Sequence, residues 1–329
     1  MSGAGEVADG RATPATRSGD PGATDAPLYR ITSCPACDGS AFTPLIQQKP
    51  GRHLHLDATY DIQRCVHCGM ACVVNPPSAA VLSGVYDRHF FSTSQQVAPV
   101  DERGQFTADA SRSPIYLNAE RRVRDIAARK SGGRLLDVGC GRGYFLKVAS
   151  RHFSVTGNEL SAVAAAYGRD TLGLEIVEGD FLRAELPTGA FDVVTLWDSL
   201  ASMGDPRAVI CRVCDLLTPG GLFVFTVPDI ESRAFRIAGR YWPLLIPPIN
   251  LYYYGRESTR RLLGRYGMNM THFGHDGKYV STRFIVQKLG RILGLRAFEG
   301  RRVGIPLVRM LYLNLGDIAT VCGEKGGDL

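Results

Sequence analysis

Residues 135–143 read Leu-Leu-Asp-Val-Gly-Cys-Gly-Arg-Gly. A short apolar run followed at once by three glycines predicts a buried strand that turns sharply into a helix, with backbone N–H groups left free for a ligand. The spacing narrows the ligand. A dinucleotide-binding turn needs a third glycine at the sixth position of G-x-G-x-x-G, and Tyr144 occupies it here. A Walker-type phosphate loop needs Gly-Lys-Ser/Thr after the glycines, and none follows.

Outward from this turn, strand and helix patterns alternate. Residues 115–130 have the apolar spacing of an amphipathic helix, stopped by Ser131-Gly132-Gly133. RLLDV (134–138) reads as a strand, and a helix follows Gly143. FSVTGN (153–158) is the next strand, and Ser161 is placed to cap the helix after it. LEIVEG, FDVVTLW and GLFVFTV continue the series, and a last strand is expected near GDIATVCGE. Strands separated by helices of this length pair in parallel, so the fold class is α/β, a doubly wound sheet with ligands at the carboxyl ends of its strands.

Asp137, two residues before the first glycine, completes D-x-G-x-G-x-G over 137–143. In this form the run resembles the cofactor loop of class I S-adenosylmethionine-dependent methyltransferases. Later landmarks follow in that family's order. Glu159 ends the second strand, Asp180-Phe181 lies in EGDF, and LTPGG (217–221) precedes a fifth strand. The resemblance implies a seven-stranded Rossmann-like methyltransferase sheet with S-adenosylmethionine as cofactor. It assigns cofactor binding to Asp137, Gly139, Gly141, Gly143, Glu159, Asp180, Phe181 and Trp197. Glu159 would accept the ribose hydroxyls, and Asp180 with Phe181 would frame the adenine.

Nine cysteines occur in the chain. Cys34 and Cys37 form one C-x-x-C pair and Cys65 and Cys68 another, each followed by a small turn element (Asp38-Gly39 and Gly69). Four thiolates at zinc-ribbon spacing suit a closed tetrahedral Zn2+ site that is structural, with no open position for water. His67 is surplus to the ligand count. Cys211 and Cys214, in a helical apolar pattern, read as core packing. The resemblance extends accordingly, over about Cys34 to Glu324, to methyltransferases with an N-terminal zinc ribbon that act on small biosynthetic molecules, sugar C-methyltransferases among them.

The chain departs from those relatives where they place acid–base residues. Ala201 and Ser202 stand where relatives commonly have Glu and His after the fourth strand, and Ile249 and Asn250 stand at a second such pair. Methyl transfer from a sulfonium needs positioning more than a strong base. The catalytic candidates are therefore Asp198, Tyr253 and His275, with Tyr254 a further one. Tyr241 to Tyr254, YWPLLIPPINLYYY, is broken by prolines and too short to span a membrane, so it is expected to form a lid or an acceptor wall. Tyr86 and Phe90, of an aromatic cluster with Phe91, are expected in a flap over the cofactor.

The formal charge is +6, but residues 256–309 carry twelve Lys or Arg against three acidic residues. Such a face suits an anionic small-molecule acceptor. It also keeps a second reading open, an RNA methyltransferase with a zinc ribbon, although few cations lie between Cys37 and Cys65. A third reading, motivated by the missing Glu-His pairs, is a noncatalytic cofactor-binding partner subunit. The division expected is a disordered tail at 1–27, a zinc ribbon at 28–78, a bridging or lid segment at 79–114, and the methyltransferase domain at 115–329 with a C-terminal insertion at about 231–312. The first residues lack the apolar core of an export signal, which predicts a cytoplasmic protein.

Overall fold

The computed structural model describes residues 30–50, 56, 58–78, 81, 100–282, 285–286 and 310–327. The tail, the flap residues Tyr86 and Phe90, and Phe91 lie outside them. Three antiparallel strands come first, β1 (Phe42–Gln48), β2 (Tyr60–Cys65) and β3 (Ala71–Val73). Helix α1 (Pro114–Ala127) then begins with proline in its first turn, which suits a position whose N–H would be unpaired anyway. It buries Ala119, Val123 and Ile126 along one face.

The glycine turn joins β4 (Arg134–Val138) to α2 (Tyr144–Ala149), and β5 (Ser154–Glu159) leads through the Ser161 cap into α3 (Ala162–Asp170). The Ser161 hydroxyl accepts from the Ala164 amide, as its position before the apolar helix predicts. Next come β6 (Ile176–Glu178), β7 (Phe191–Leu196), α4 (Pro206–Leu216) and β8 (Leu217–Pro228). The LTPGG stretch is a bulge inside β8 rather than a turn before it: Phe191 pairs with Leu217 but Val193 with Leu222. After α5 (Arg233–Ala238), β9 (Tyr252–Tyr253) and α6 (Arg256–Gly264) come β10 (Met268–His275), β11 (Lys278–Ser281), β12 (Met310–Leu313) and β13 (Ile318–Lys325).

Seven strands form the main sheet in the order β10-β13-β8-β7-β4-β5-β6. The pairs from β8 to β6 are parallel, and β13 runs antiparallel to both β8 and β10. This is the doubly wound α/β sheet that the alternation predicts. Its edge strand β10 lies within the 231–312 stretch. The order in which strands are added reverses at β4, because β5 lies on one side and β7 on the other, and there the glycine turn opens.

The first three strands do not close a sheet by themselves. Strand β9 pairs with β3 through Ala71–Tyr253 and Cys72–Tyr252, so the fourth strand comes from the far end of the chain. One continuous core runs from Cys34, Ile62 and Val73 through Trp242 and Tyr253 to Phe223 and Phe225 on one face of the main sheet. The other face packs against α1, α2 and α3 around Ile126, Leu135 and Leu146.

This placement corrects the reading of Tyr241 to Tyr254 as a lid or wall. Trp242, Leu245, Leu251 and all three of Tyr252, Tyr253 and Tyr254 are buried, because the segment carries β9 into the joint between the two sheets. Cys211 is likewise not a core residue. It is exposed on α4, while Cys214 is half-buried with its thiol against the Tyr266 carbonyl.

Candidate functional site

The glycine turn is held from below. The Gly139 and Cys140 amides both donate to the Asn158 carbonyl, tying the turn to the end of β5. Gly143 has φ 82° and starts α2, and a Cβ there would lie 2.5 Å from Leu174 Cδ1. It therefore does the packing that a dinucleotide turn assigns to its third glycine. Gly141, at φ 56°, is different: a Cβ there would meet nothing within 4 Å. That space opens above the Glu159 carboxylate.

Glu159 is buried, and its two oxygens accept from the Gly141 and Ser161 amides at 2.8 Å each. Burial raises its carboxyl above the ordinary value, against the pull of these N–H groups. Below it, Asp137 is fully enclosed and accepts from the Thr195 hydroxyl at 2.7 Å. Desolvation pushes its carboxyl up to about 7, while the Thr195 hydrogen bond pulls the other way. Across the turn lies Ser199, whose hydroxyl is buried with no hydrogen-bond partner. Trp197 Nε1 is also buried without a partner, its ring between Phe145 and the Arg122 guanidinium, 4.2 Å from the ring centre. An orphaned hydroxyl beside Gly139 is what a bound polar ligand would satisfy.

Farther along the same edge, Asp180 is exposed and its carboxylate accepts from the Leu182 amide. Phe181 turns away from it into the core and is 5 % exposed. The apolar side chains that do stand open beside Glu159 and Asp180 are Leu160 and Leu182, 60 % and 40 % exposed. Sequence reasoning missed them.

The three catalytic candidates fall in three different places. Asp198, directly after β7, takes a left-handed conformation at φ 58°, unusual for any residue but glycine. Its carboxylate receives the Thr226 hydroxyl, the Lys278 ammonium at 2.9 and 3.0 Å, and Arg122 at 3.2 Å. Desolvation works upward on this carboxyl, but Lys278 and Arg122 outweigh it and hold the group well below the usual carboxylate range. A carboxylate so paired is a clamp and a poor proton acceptor.

Tyr253 is fully buried and donates to the Asn250 carbonyl, and burial raises its phenol far above the ordinary value. Tyr254 is also enclosed. Neither faces open space. His275, at the end of β10, is one-third exposed, and its Nε2 lies 2.7 Å from Asp229 Oδ2. Asp229 is buried just past β8 and also accepts from the Glu231 amide. The pairing fixes Nε2 as the nitrogen turned to the carboxylate and leaves Nδ1 as the other. It was not legible in sequence, because 46 residues separate the partners.

In the N-terminal unit the four sulfurs of Cys34, Cys37, Cys65 and Cys68 all lie within 4.8 Å of one another. Cys34 and Cys68 are 3.5 Å apart, Cys37 and Cys65 3.6 Å. Tetrahedral ligands about 2.3 Å from a zinc ion stand roughly 3.8 Å from each other. The amides of Ala36, Gly39 and Met70 point at sulfurs, as in a zinc knuckle. His67 is exposed and packs against Gly39 outside this group. The donor set fits a closed metal site.

A family model described as a methyltransferase domain matches residues 113–272. The ubiquinone biosynthesis O-methyltransferase of Chromobacterium violaceum is 30 % identical over 175 residues, which are 50 % of this chain and 73 % of that protein. The chain is a class I S-adenosylmethionine-dependent methyltransferase. Nocamycin O-methyltransferase of Saccharothrix syringae is 34 % identical to this methyltransferase over 132 residues, 36 % of the chain and 46 % of that protein. Among solved structures, magnesium protoporphyrin IX methyltransferase from Synechocystis superposes with a TM-score of 0.48 at 14 % identity, covering 76 % of this chain and 100 % of that one. The methyltransferase takes S-adenosylmethionine as its cofactor. No helix among its described residues is long and apolar enough to cross a membrane.

Proposed function

We propose that this methyltransferase transfers a methyl group from S-adenosylmethionine to a hydroxyl oxygen of a small biosynthetic intermediate. The observation that carries the reading is the His275–Asp229 pair, an imidazole fixed by a buried carboxylate at the same sheet edge as the glycine turn. The names of the Chromobacterium and Saccharothrix relatives, both O-methyltransferases of small molecules, support oxygen as the acceptor atom.

The cofactor brings an electrophilic methyl group on a sulfonium. The chain supplies position and one proton acceptor. Gly139, Gly141 and Gly143 leave room for the methionine portion, the Ser199 hydroxyl and Trp197 Nε1 donate into it, and Glu159 receives the ribose hydroxyls. Leu160 and Leu182 bracket the adenine, and Asp180 accepts from its amino group. His275, oriented by Asp229, takes the proton of the attacking hydroxyl, a role worth about 10²–10⁴ in rate. Asp198 holds Arg122 and Lys278 in place. Cys34, Cys37, Cys65 and Cys68 hold a structural Zn2+ that closes the N-terminal sheet and touches no reacting atom.

Two measurements on the zinc-loaded protein test this reading. Calorimetric titration with S-adenosylmethionine should give binding that Glu159→Ala weakens by about a hundredfold, since a buried charge-assisted partner is lost. Mass spectrometry of a panel of phenols, hydroxy acids and nucleotide sugars should then find a gain of one methyl on oxygen. Binding without turnover on any acceptor would favour a cofactor-binding partner subunit, and absence of binding would overturn the proposal.

A further inference from the structure

A second cavity adjoins the site and shares Trp197 with it. It is a cleft of ≈ 240 Å³ between α1 and the face of β8, β13 and β10. Its floor is polar for a sheet face packed beneath a helix, with Thr226 and Thr320 beside Val224 and Cys322. Register explains the space. Cys322 pairs with both His272 and Val224, and one step toward the carboxyl edge Thr320 pairs with Gly274 and Thr226. Gly274 has no side chain to fill its place, and a Cβ there would lie 2.6 Å from His272 Nε2. The mouth is Trp197, at the end of β7.

The walls are charged unequally. Arg121 and Arg122 come from α1, Arg129 from the turn after it and Lys278 from β11, against Asp125 and Asp276 on the lining. Most of these charges are already paired. Arg121 bridges Asp125 and Asp276 at 3.5 and 3.0 Å, and Arg122 and Lys278 share Asp198. Arg129, exposed in the turn after α1, has no carboxylate partner among the described residues, and its guanidinium donates to the Asp125 carbonyl. His272 lies half-buried in the row of Cys322 and Val224.

We propose that this cleft receives the anionic end of the acceptor, a carboxylate or phosphate that Arg129 and His272 bind, while its hydroxyl extends past the Trp197 mouth toward His275. This deepens the methyl-transfer reading and rests on it. The two rows of strand between Thr226 and Val224 span about 7 Å, so the anion and the methylated oxygen lie on the order of 10 Å apart in the acceptor. A neutral molecule of the same shape gains no charge-assisted hydrogen bond from Arg129. Selectivity for the anion is the consequence.

The chain has two tryptophans, of which Trp242 is buried against Asp317 on the opposite side of the sheet. Trp197 fluorescence therefore reports occupancy of the mouth. The zinc-loaded protein, saturated with S-adenosylhomocysteine, is titrated with 4-hydroxybenzoate, phenyl phosphate, uridine diphosphate and the neutral 4-hydroxybenzyl alcohol. Expected is saturable quenching by one or more of the anions and at least tenfold weaker binding of the alcohol. The double variant Arg129→Gln/His272→Gln should weaken the anion about tenfold. Arg124→Gln, exposed on α1, should not. Whether carboxylate, simple phosphate or diphosphate binds best identifies the anion's source. Equal binding of anion and alcohol, or anion binding that the double variant leaves unchanged, overturns the proposal. Calorimetry with S-adenosylmethionine on the same preparations separates the two readings: its failure removes the methyl-transfer proposal, whereas intact cofactor binding with no anion selectivity removes only the cleft.

Discussion

On the cofactor side of the sheet edge, Gly139 to Gly143, Glu159 and Asp180 follow one another on the ends of successive strands. On the acceptor side proposed above, Arg122, Asp198, Asp229 and the pair His275 and Lys278 come from four separate stretches of the chain. The first side is specified chiefly by backbone: glycines that allow positive φ and amides that converge on one carboxylate. The second is specified by side chains reaching one another across β8, β13 and β10. A backbone-built site survives many substitutions around it, and a side-chain constellation depends on every element that positions its members.

The largest expected break between the two sides comes from the metal unit. Strand β9 belongs to the N-terminal sheet, and the next residue, Tyr254, pairs with Asp229, the carboxylate that fixes His275. Structural zinc sites contribute about 10–16 kcal/mol of apparent binding energy, so chelation or Cys65→Ser should unfold the first three strands and release β9. Turnover should fall at least a hundredfold while S-adenosylmethionine affinity changes less than about fivefold, because β4, β5 and the glycine turn do not pair with that sheet. Thermal melting and calorimetry of the chelated protein check this. Equal loss of both functions would show that the two sides are not separable.

Substitution of the imidazole sharpens the comparison from the other side. His275→Ala should lower kcat by about 10²–10⁴ at saturating acceptor and leave cofactor affinity unchanged. Asp229→Asn, which keeps shape but loses the charge behind the ring, should lower kcat less. Single-turnover kinetics read both. A smaller effect belongs to the cofactor side: Leu160→Ala removes apolar area beside Glu159 and should weaken S-adenosylmethionine by about five- to tenfold, roughly 1 kcal/mol, with kcat unchanged at saturation.

The same contrast explains what could be read in the sequence. The strand–turn–helix alternation, the Ser161 cap, the glycine turn, Glu159 and the two Cys-x-x-Cys pairs are local patterns whose physics operates within a few residues. Their geometry appears where the spacing put it. The misreadings all concern long-range placement. A run of tyrosines looks the same in sequence whether it lines a cavity or completes another sheet, and β3 decided that for Tyr252 and Tyr253. Cys211 was assigned to the core by residue type, while its exposure was set by the side of the helix it occupies. Asp198 was visible as a carboxylate after a strand, but Lys278 and Arg122, which remove its basicity, lie 80 and 76 residues away.

Two carboxylates on adjoining strands turn the comparison into a matter of sign. Asp137, enclosed beneath the glycine turn and bound by a neutral hydroxyl, has its carboxyl raised from 3.8 to about 7. Between those values the folded protein keeps a proton that the unfolded chain gives up. This group therefore stabilises the fold most at about pH 4 and progressively less as pH rises to 7, with a limiting slope of about 1.4 kcal/mol per pH unit. Asp198, paired with two cations, behaves in the opposite way: its contribution is present above the ordinary carboxylate range and is lost only as pH falls below it. In urea unfolding followed from pH 4 to 7.5, Asp137→Asn should flatten the wild-type decline and gain stability, on the order of 1–3 kcal/mol, at the upper end. Asp198→Asn should leave that window nearly unchanged and cost stability throughout it, by less than about 1 kcal/mol for a half-exposed pair. If Asp137→Asn left the slope as it was, the carboxylate under the glycine turn would be ionised in the folded protein, and the two sides would share one electrostatic design.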